Sequence, residues 1–369
     1  MSVVWVLLGL AVVAIALVDS ADTLLSTRVR TGRYWPTDIF YRLTFAGWVW
    51  CAGKIREEAR RESFLSLFGP LSLLALLALW VIGQVVGWAF VWWGMRGSFS
   101  TPISSFGDSI YYSGIVYFSV GFGDLTTIET LPRVLALLEA FGGLATMGLV
   151  IGFVPTLLGA YQDRERQLLR LDALTNEQVN PMALVFSHLD LDNPQVSDLD
   201  DLFEEWEQWA SQVMQSNLSF PMLGTFRSQQ VGQHWVTALG VVTDAAIIVM
   251  GCGATGDRRP AQRMYRRSVR TIRSYCDRIG ATPLPLEPIS IETFRFGYDE
   301  LQRHGFPVDG FEQSYARTAR LRSEFAPWME ALIEDFLTPR GFWSLQIDEL
   351  PPLAAESISG QVLGEDTSQ

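Results

Sequence analysis

Apolar residues in this chain fall into three long blocks, followed by a region in which they recur at helical spacing. The blocks are Val3–Val18, Phe64–Trp93 and Val134–Tyr161. A bilayer core about 30 Å thick needs about 20 helical residues, so each block predicts a membrane span. The second carries no charge, and Pro70 near its start marks where the spanning part begins. Trp88, Trp92 and Trp93 at its far end predict an interfacial aromatic belt. Residues Tyr34–Gly53 are apolar and aromatic but interrupted by Asp38 and Arg42, which predicts an interfacial helix along the cytoplasmic leaflet bearing Trp35, Trp48 and Trp50. A full crossing there would put Arg28, Arg30 and Arg33 on the wrong side.

Beyond the third block, Gln162–Asp172 is charged and extends the last span out of the membrane. Leu202, Trp206 and Trp209, and later Phe325, Trp328, Leu332 and Phe336, follow helical spacing and predict an all-helical domain. Trp235–Met250 is nearly apolar enough for a fourth crossing. Asp244 in its middle, with Thr237, Gly240 and Thr243, makes it a buried core helix instead. Gly360–Gln369 reads as a frayed tail.

Charge divides the chain in the same way. Residues 1–161 hold ten acids and ten bases, whereas residues 162–369 hold 30 acids and 18 bases, so the net −12 of the chain belongs to the second part. An acidic domain does not suit nucleic acid, which needs a basic face. Cys51, Cys252 and Cys276 are far apart, and His188, His234 and His304 lack metal-ligand spacing, so neither a disulfide framework nor a zinc site is expected. No nucleophile–base pair points to an enzyme. Arg28, Arg30, Arg33, Arg42, Lys54, Arg56, Arg60 and Arg61 lie between the first two spans, and Arg164, Arg166 and Arg170 follow the third. By the positive-inside rule both segments are cytoplasmic, and the N-terminus and the 94–133 connection are outside. A cleaved leader is the rival for residues 1–18, but the run lacks a basic start and cleavage would invert everything after it.

The candidate chemistry lies in Ser104–Arg133. Ser105 is placed to cap a short helix, Asp108 occupies its first turn, and Ile110–Phe118 is apolar and aromatic enough to bury. Ser119–Asp124, Ser-Val-Gly-Phe-Gly-Asp, follows. A dehydrated cation needs a ring of oxygens, and consecutive backbone carbonyls turned toward one axis supply them densely. Gly121 and Gly123 at alternate positions permit the backbone angles that let Ser119, Val120, Gly121 and Phe122 face their carbonyls the same way. The Ser119 hydroxyl adds an oxygen, while Val120 and Phe122 are expected to point into packing that fixes the diameter. One chain supplies one strand of the ring, so closure needs several copies.

This span, pore helix, filter and span arrangement resembles the two-helix pore module of tetrameric potassium channels, whose filter reads T-V-G-[YF]-G-D. The resemblance covers about Pro70–Tyr161, with Arg133 at the family's spacing after Asp124 and Gly143 where the family often carries a hinge glycine. Gly148 and Gly152 continue a small-residue face. The resemblance implies a homotetramer conducting K⁺, with Ser119–Phe122 coordinating the ion, Gly123 and Asp124 supporting the filter, and bending near Gly143 and Pro155. K⁺ is then cargo, and no organic cofactor is implied. Serine replaces the usual threonine at Ser119, which points toward weaker selectivity, and Phe118 stands where many members have a second threonine; no arginine series forms a voltage sensor. Glu139, an acid within the third span, is expected to brace the back of the filter against a pore-helix hydroxyl or tyrosine. The expected fold is thus an all-α membrane protein of four parts: a transmembrane helix at 1–20, a cytoplasmic loop with an interfacial helix at 21–63, a pore domain at 64–161 and a helical regulatory domain at 162–369. It is expected in the plasma membrane.

Three features of the last part remain open. Gly251–Gly256 fits G-x-G-x-x-G, but the dinucleotide fingerprint requires a preceding strand, and a glycine helix stop is the plainer account. Arg259, Arg263, Arg266, Arg270 and Arg273 share a helix face. That Arg259–Arg273 stripe is expected to dock on the acidic run Asp198, Asp200, Asp201, Glu204, Glu205 and Glu207, with anionic lipid headgroups or an anionic metabolite as other occupants. Asp190 and Asp192 suggest a calcium loop, but Pro194 and Gln195 break the EF-hand pattern, and Ser197 with Asp200 fits a helix start.

Overall fold

The computed structural model describes residues 2–25, 35–175, 180–188, 197–228, 234–254, 257–286 and 288–338. Arg28, Arg30, Arg33, the 190–195 segment, Gly256 and the 360–369 tail lie outside them. Among the described residues the chain is helical with no strands, only the isolated bridges Phe99–Thr127 and Gly253–Val308. It divides into two units: residues 1–160 with 218–226, and residues 161–217 with 227–369.

The first unit begins with α1, Ser2–Leu25, then α2, Pro36–Ala52, α3, Glu58–Ser66, and α4, Phe68–Gly94. Helix α1 extends seven residues beyond the apolar block, because Asp19 is satisfied inside the fold. Its carboxylate accepts from the Thr37 hydroxyl at 2.6 Å and from Trp80 Nε1 at 2.8 Å, and Asp19 is fully buried. Small residues let α1 and α4 meet backbone to backbone: a Cβ on Gly9 would lie 2.5 Å from the Gly87 carbonyl, and one on Gly87 would lie 2.8 Å from Val13. Gly83, Gly87 and Val91 form the α4 side of this seam. Helix α2 occupies the segment expected to form an interfacial helix. It packs lengthwise, from Thr37 beside Asp19 through Tyr41 on Phe68 to Trp48 stacked on Phe64 at 4.4 Å.

The pore helix α5, Phe106–Tyr117, and α6, Thr130–Thr175, complete this unit; α6 continues through Pro155 into the second. The tryptophans expected at the membrane interface are largely elsewhere. Trp92 is fully buried and Trp88 nearly so, and the indole of Trp92 has found an acceptor inside the protein. Trp93 is the partly exposed one, with the Arg96 guanidinium 4.8 Å over its ring.

The second unit adds α7, Pro181–Phe186, α8, Ser197–Ser219, α9, Trp235–Cys252, α10, Arg259–Ile279, α11, Ile291–Arg303, and α12, Phe311–Phe336. Helix α9 is as apolar as a span, yet every residue but Met250 is buried. Helices α7, α10 and α12 pack against it, so this apolar cylinder is the core of the unit. Asp244 in its middle pairs with Arg322 of α12. Burial nevertheless raises the Asp244 carboxyl to about 6.

Candidate functional site: a carbonyl-lined loop behind a pore helix

Helix α5 starts where its sequence says. Ser105 Oγ accepts from Asp108 N at 3.1 Å, and Asp108 Oδ2 accepts from Ser105 N at 2.9 Å, a closed capping box. The Ser104 hydroxyl adds a bond of 2.9 Å to the same oxygen. At the other end the chain leaves the helix with its N–H groups turned back. Ser119 N donates to Val116 O at 2.9 Å, and Val120 N and Gly121 N share Ile115 O at 2.8 and 3.2 Å. Gly121 and Gly123 have φ of +58° and +80°, as the alternating glycines predicted. Ser119 also has φ +55°, which sequence reading missed. An L-residue pays about 1–2 kcal/mol there, so the alternation of hand at 119, 121 and 123 is imposed by the loop as a whole. Among the described residues, the carbonyls of Ser119, Val120, Gly121 and Phe122 accept no hydrogen bond.

The far end of the loop is tied down. The Tyr111 hydroxyl donates to Asp124 Oδ2 at 2.9 Å, a partner not foreseen. Ser100 N donates to Thr126 O at 2.8 Å and Ile128 N to Ser98 O at 3.0 Å, which stitches the segment after α4 to the segment after the loop. Arg133 Nε donates to Thr127 O at 3.1 Å.

Behind the pore helix sits Glu139. Its oxygens accept from Ser113 Oγ at 2.5 Å and from Trp92 Nε1 at 2.7 Å, and the side chain is fully buried. The pore-helix hydroxyl was the expected partner; the tryptophan, 47 positions away, was not. One acid thereby pins α4, α5 and α6 together. Trp92, Phe99 and Tyr112 pack edge-to-face around it, with ring centroids 4.8 to 6.0 Å apart. Gly143 lies where α6 crosses the end of α5: a Cβ would fall 1.9 Å from the Tyr117 carbonyl. Close packing therefore demands this glycine irrespective of bending.

Val120 and Phe122 do not enter packing of their own chain. They are 51% and 69% exposed, and Leu137, Phe141, Leu144 and Ile151 along α6 are exposed as well. The expected support behind the loop is not supplied by these two side chains within their own chain, and in isolation the loop is an unclosed wall.

Residues 75–159 match the family model described as "Ion channel". The match starts within α4, spans α5, the loop and its braces, and ends in α6, which makes this segment similar to a channel pore module in the order helix, pore helix, loop, helix. It accounts for less than a quarter of the chain. Over 273 residues the chain is 22% identical to the uncharacterized membrane protein YdjJ of Bacillus subtilis (strain 168), covering 71% of this chain and 78% of that one. That length exceeds the pore module, so the likeness extends into the flanking parts. No solved structure matches the chain.

The second unit treats the remaining candidates differently. Arg263 bonds Glu207 at 3.2 Å and also pairs with Glu204, so this part of the stripe docks on α8 as expected, while Arg170 takes Glu205. Arg273 donates to Glu324 O at 3.1 Å. Gly251 lies in the last turn of α9 and Gly253 caps it, with Gly253 N closing that turn on Val249 O at 3.2 Å, so the motif sits on a helix end and not after a strand. The glycines therefore stop α9, and the strand that a dinucleotide site requires is not there among the described residues. Helix α8 is described from Ser197 onward, and the residues before it, where the capping pattern would be read, lie outside the described residues.

Proposed function

We propose that the protein is a potassium-selective channel, a homotetramer in the plasma membrane whose conduction is gated by the second unit lying in the cytoplasm. The observation that carries this reading is the alternation of left-handed residues at Ser119, Gly121 and Gly123. With the N–H groups of 119–121 committed to the pore helix, the carbonyls of Ser119–Phe122 are left unbonded. Such a strand is expensive and useless in a lone chain. Repeated around an axis it offers stacked rings of oxygens that replace an ion's hydration shell. The ion-channel match of residues 75–159 supports the same reading, and the exposed Val120, Phe122 and α6 face supports several copies. Charge placement supports an outside N-terminus and a cytoplasmic second unit.

The test is purified protein in liposomes with K⁺ on one side and Na⁺ on the other. A reversal potential that follows K⁺ and is lost in Gly121→Ala supports the reading. Equal permeation of both ions replaces it with a weakly selective cation channel, in line with the unbranched Ser119. Absence of flux at any pH or voltage refutes conduction.

A further inference from the structure

Helix α9 is capped by a histidine. His234 Nδ1 accepts from Val236 N at 3.2 Å, which fixes the neutral tautomer with its proton on Nε2. The residue is only 2% exposed, and Nε2 has no hydrogen-bond partner among the described residues. Its ring packs on Phe336, 5.2 Å away, and near Trp235 at 5.8 Å. Phe336 leads onward: Arg227 donates to the Phe336 carbonyl, and the Arg227 carbonyl accepts from the Tyr161 hydroxyl of α6 at 3.1 Å. The histidine is thus three contacts from Tyr161 of α6, through Phe336 and Arg227.

We propose that His234 is a proton receptor, through which acidification around the second unit loosens the start of α9 and the Phe336–Arg227–Tyr161 chain attached to it. The geometry makes protonation incompatible with the packed state in two ways. A proton on Nδ1 removes the acceptor that caps α9, leaving Val236 N–H buried without a partner. It also adds a cation beside the Arg164 and Arg227 guanidiniums. The groups facing this region are Tyr161, Arg164 and Glu165 of α6, Arg227, Tyr275 and Arg278 of α10, and Asp335 of α12; helix α7 contributes no titratable group. Glu165, the nearest carboxylate of this set to Arg164, engages that guanidinium at 3.3 Å. Burial first, then Arg164 and Arg227, hold the imidazole well below its ordinary range.

The linkage has a definite sign. A loosened state with solvated His234 titrates near the ordinary value of about 6.5, whereas the packed state does not take the proton. Packing is therefore at full strength above about pH 6.5 and weakens below it, so the loosened-to-packed ratio rises about tenfold between pH 7.5 and 5.5. Asp244, at the middle of α9, works in the opposite direction over the same range. Variants at position 234 separate the two.

The measurement is hydrogen exchange of the first turns of α9 in the full-length protein in lipid nanodiscs, corrected for intrinsic exchange chemistry. Wild type is expected to show about a tenfold rise in opening at pH 5.5. His234→Asn and His234→Ser keep a capping oxygen but cannot titrate, and are expected to show none. No rise in wild type, or an equal rise in both variants, overturns the proposal. Only the consequence for conduction rests on the channel reading. Ion flux should follow the same pH dependence in wild type and lose it in the variants. Exchange that responds to acid while flux is absent throughout supports the receptor and refutes the channel.

Discussion

Replacing Glu139 tests whether the pore module is held by a hydrogen-bond pattern or by a charge. In Glu139→Ala, Ser113 keeps an alternative acceptor, Val85 O at 2.9 Å, whereas Trp92 Nε1 loses the partner at 2.7 Å and has none in reach. An orphaned donor in a water-free interior costs about 1–3 kcal/mol, and the lost methylene packing adds about 1 kcal/mol. The expected destabilisation is about 2–4 kcal/mol. Glu139→Gln behaves differently, because its carbonyl can accept from Trp92 while its amide donates to Ser113 Oγ, which still donates to Val85 O. Its cost should stay below about 1 kcal/mol. Thermal unfolding of the detergent-solubilised protein ranks the two variants, and K⁺ flux shows whether the pore follows. Equal damage from Gln and Ala would refute the reasoning, since it would make the negative charge and not the acceptor geometry responsible; so would a neutral Ala variant.

Four further outcomes follow from the geometry. Gly143→Ala should abolish flux and lower the yield of folded protein, because a Cβ 1.9 Å from the Tyr117 carbonyl forces α6 away from α5; wild-type flux in this variant would count against the packing role. Tyr111→Phe removes the donor to Asp124, and should cost about 0.5–1.5 kcal/mol and speed amide exchange at 119–124, with unchanged exchange counting against the brace. Gly87→Val should detach α1 from α4, read as loss of a disulfide between cysteines placed at positions 16 and 83, which face each other across the seam. Asp244, with its carboxyl raised to about 6 by burial, should make the second unit more stable as pH falls from about 6 toward 4, by on the order of 2–3 kcal/mol. Protection of α9 beyond its first turns should rise over that interval and stay flat in Asp244→Asn.

What could be read from the sequence was whatever is local. The Ser105–Asp108 box and the left-handed glycines depend on residues a few positions apart, and each stands where its pattern placed it. Helix α9 was legible because an acid and two threonines in an apolar run need partners that lipid does not offer. Half of the Glu139 brace was legible too, since the pore helix must lie near the next span. The other half was not, because whether Trp92 turns inward depends on how α4 crosses α6. Asp19 was missed for the opposite reason: hydropathy ends a span at a charge, and only the fold shows Thr37 and Trp80 waiting for it. Ser119 gave no signal, because serine is not a residue that announces positive φ. Gly143 was read as a hinge, whereas its neighbour Tyr117 supplies a steric reason invisible along the chain.

The seam between α1 and α4 carries a mechanical implication. Where Gly9 and Gly87 meet there is no side chain to act as a bearing, so neither helix can roll on the other without backbone collision. The pair behaves as a single plank in the membrane. Any outward lean of α4 must therefore sweep α1 through the surrounding lipid. The drag and the area of bilayer displaced are then set by two helices moving together.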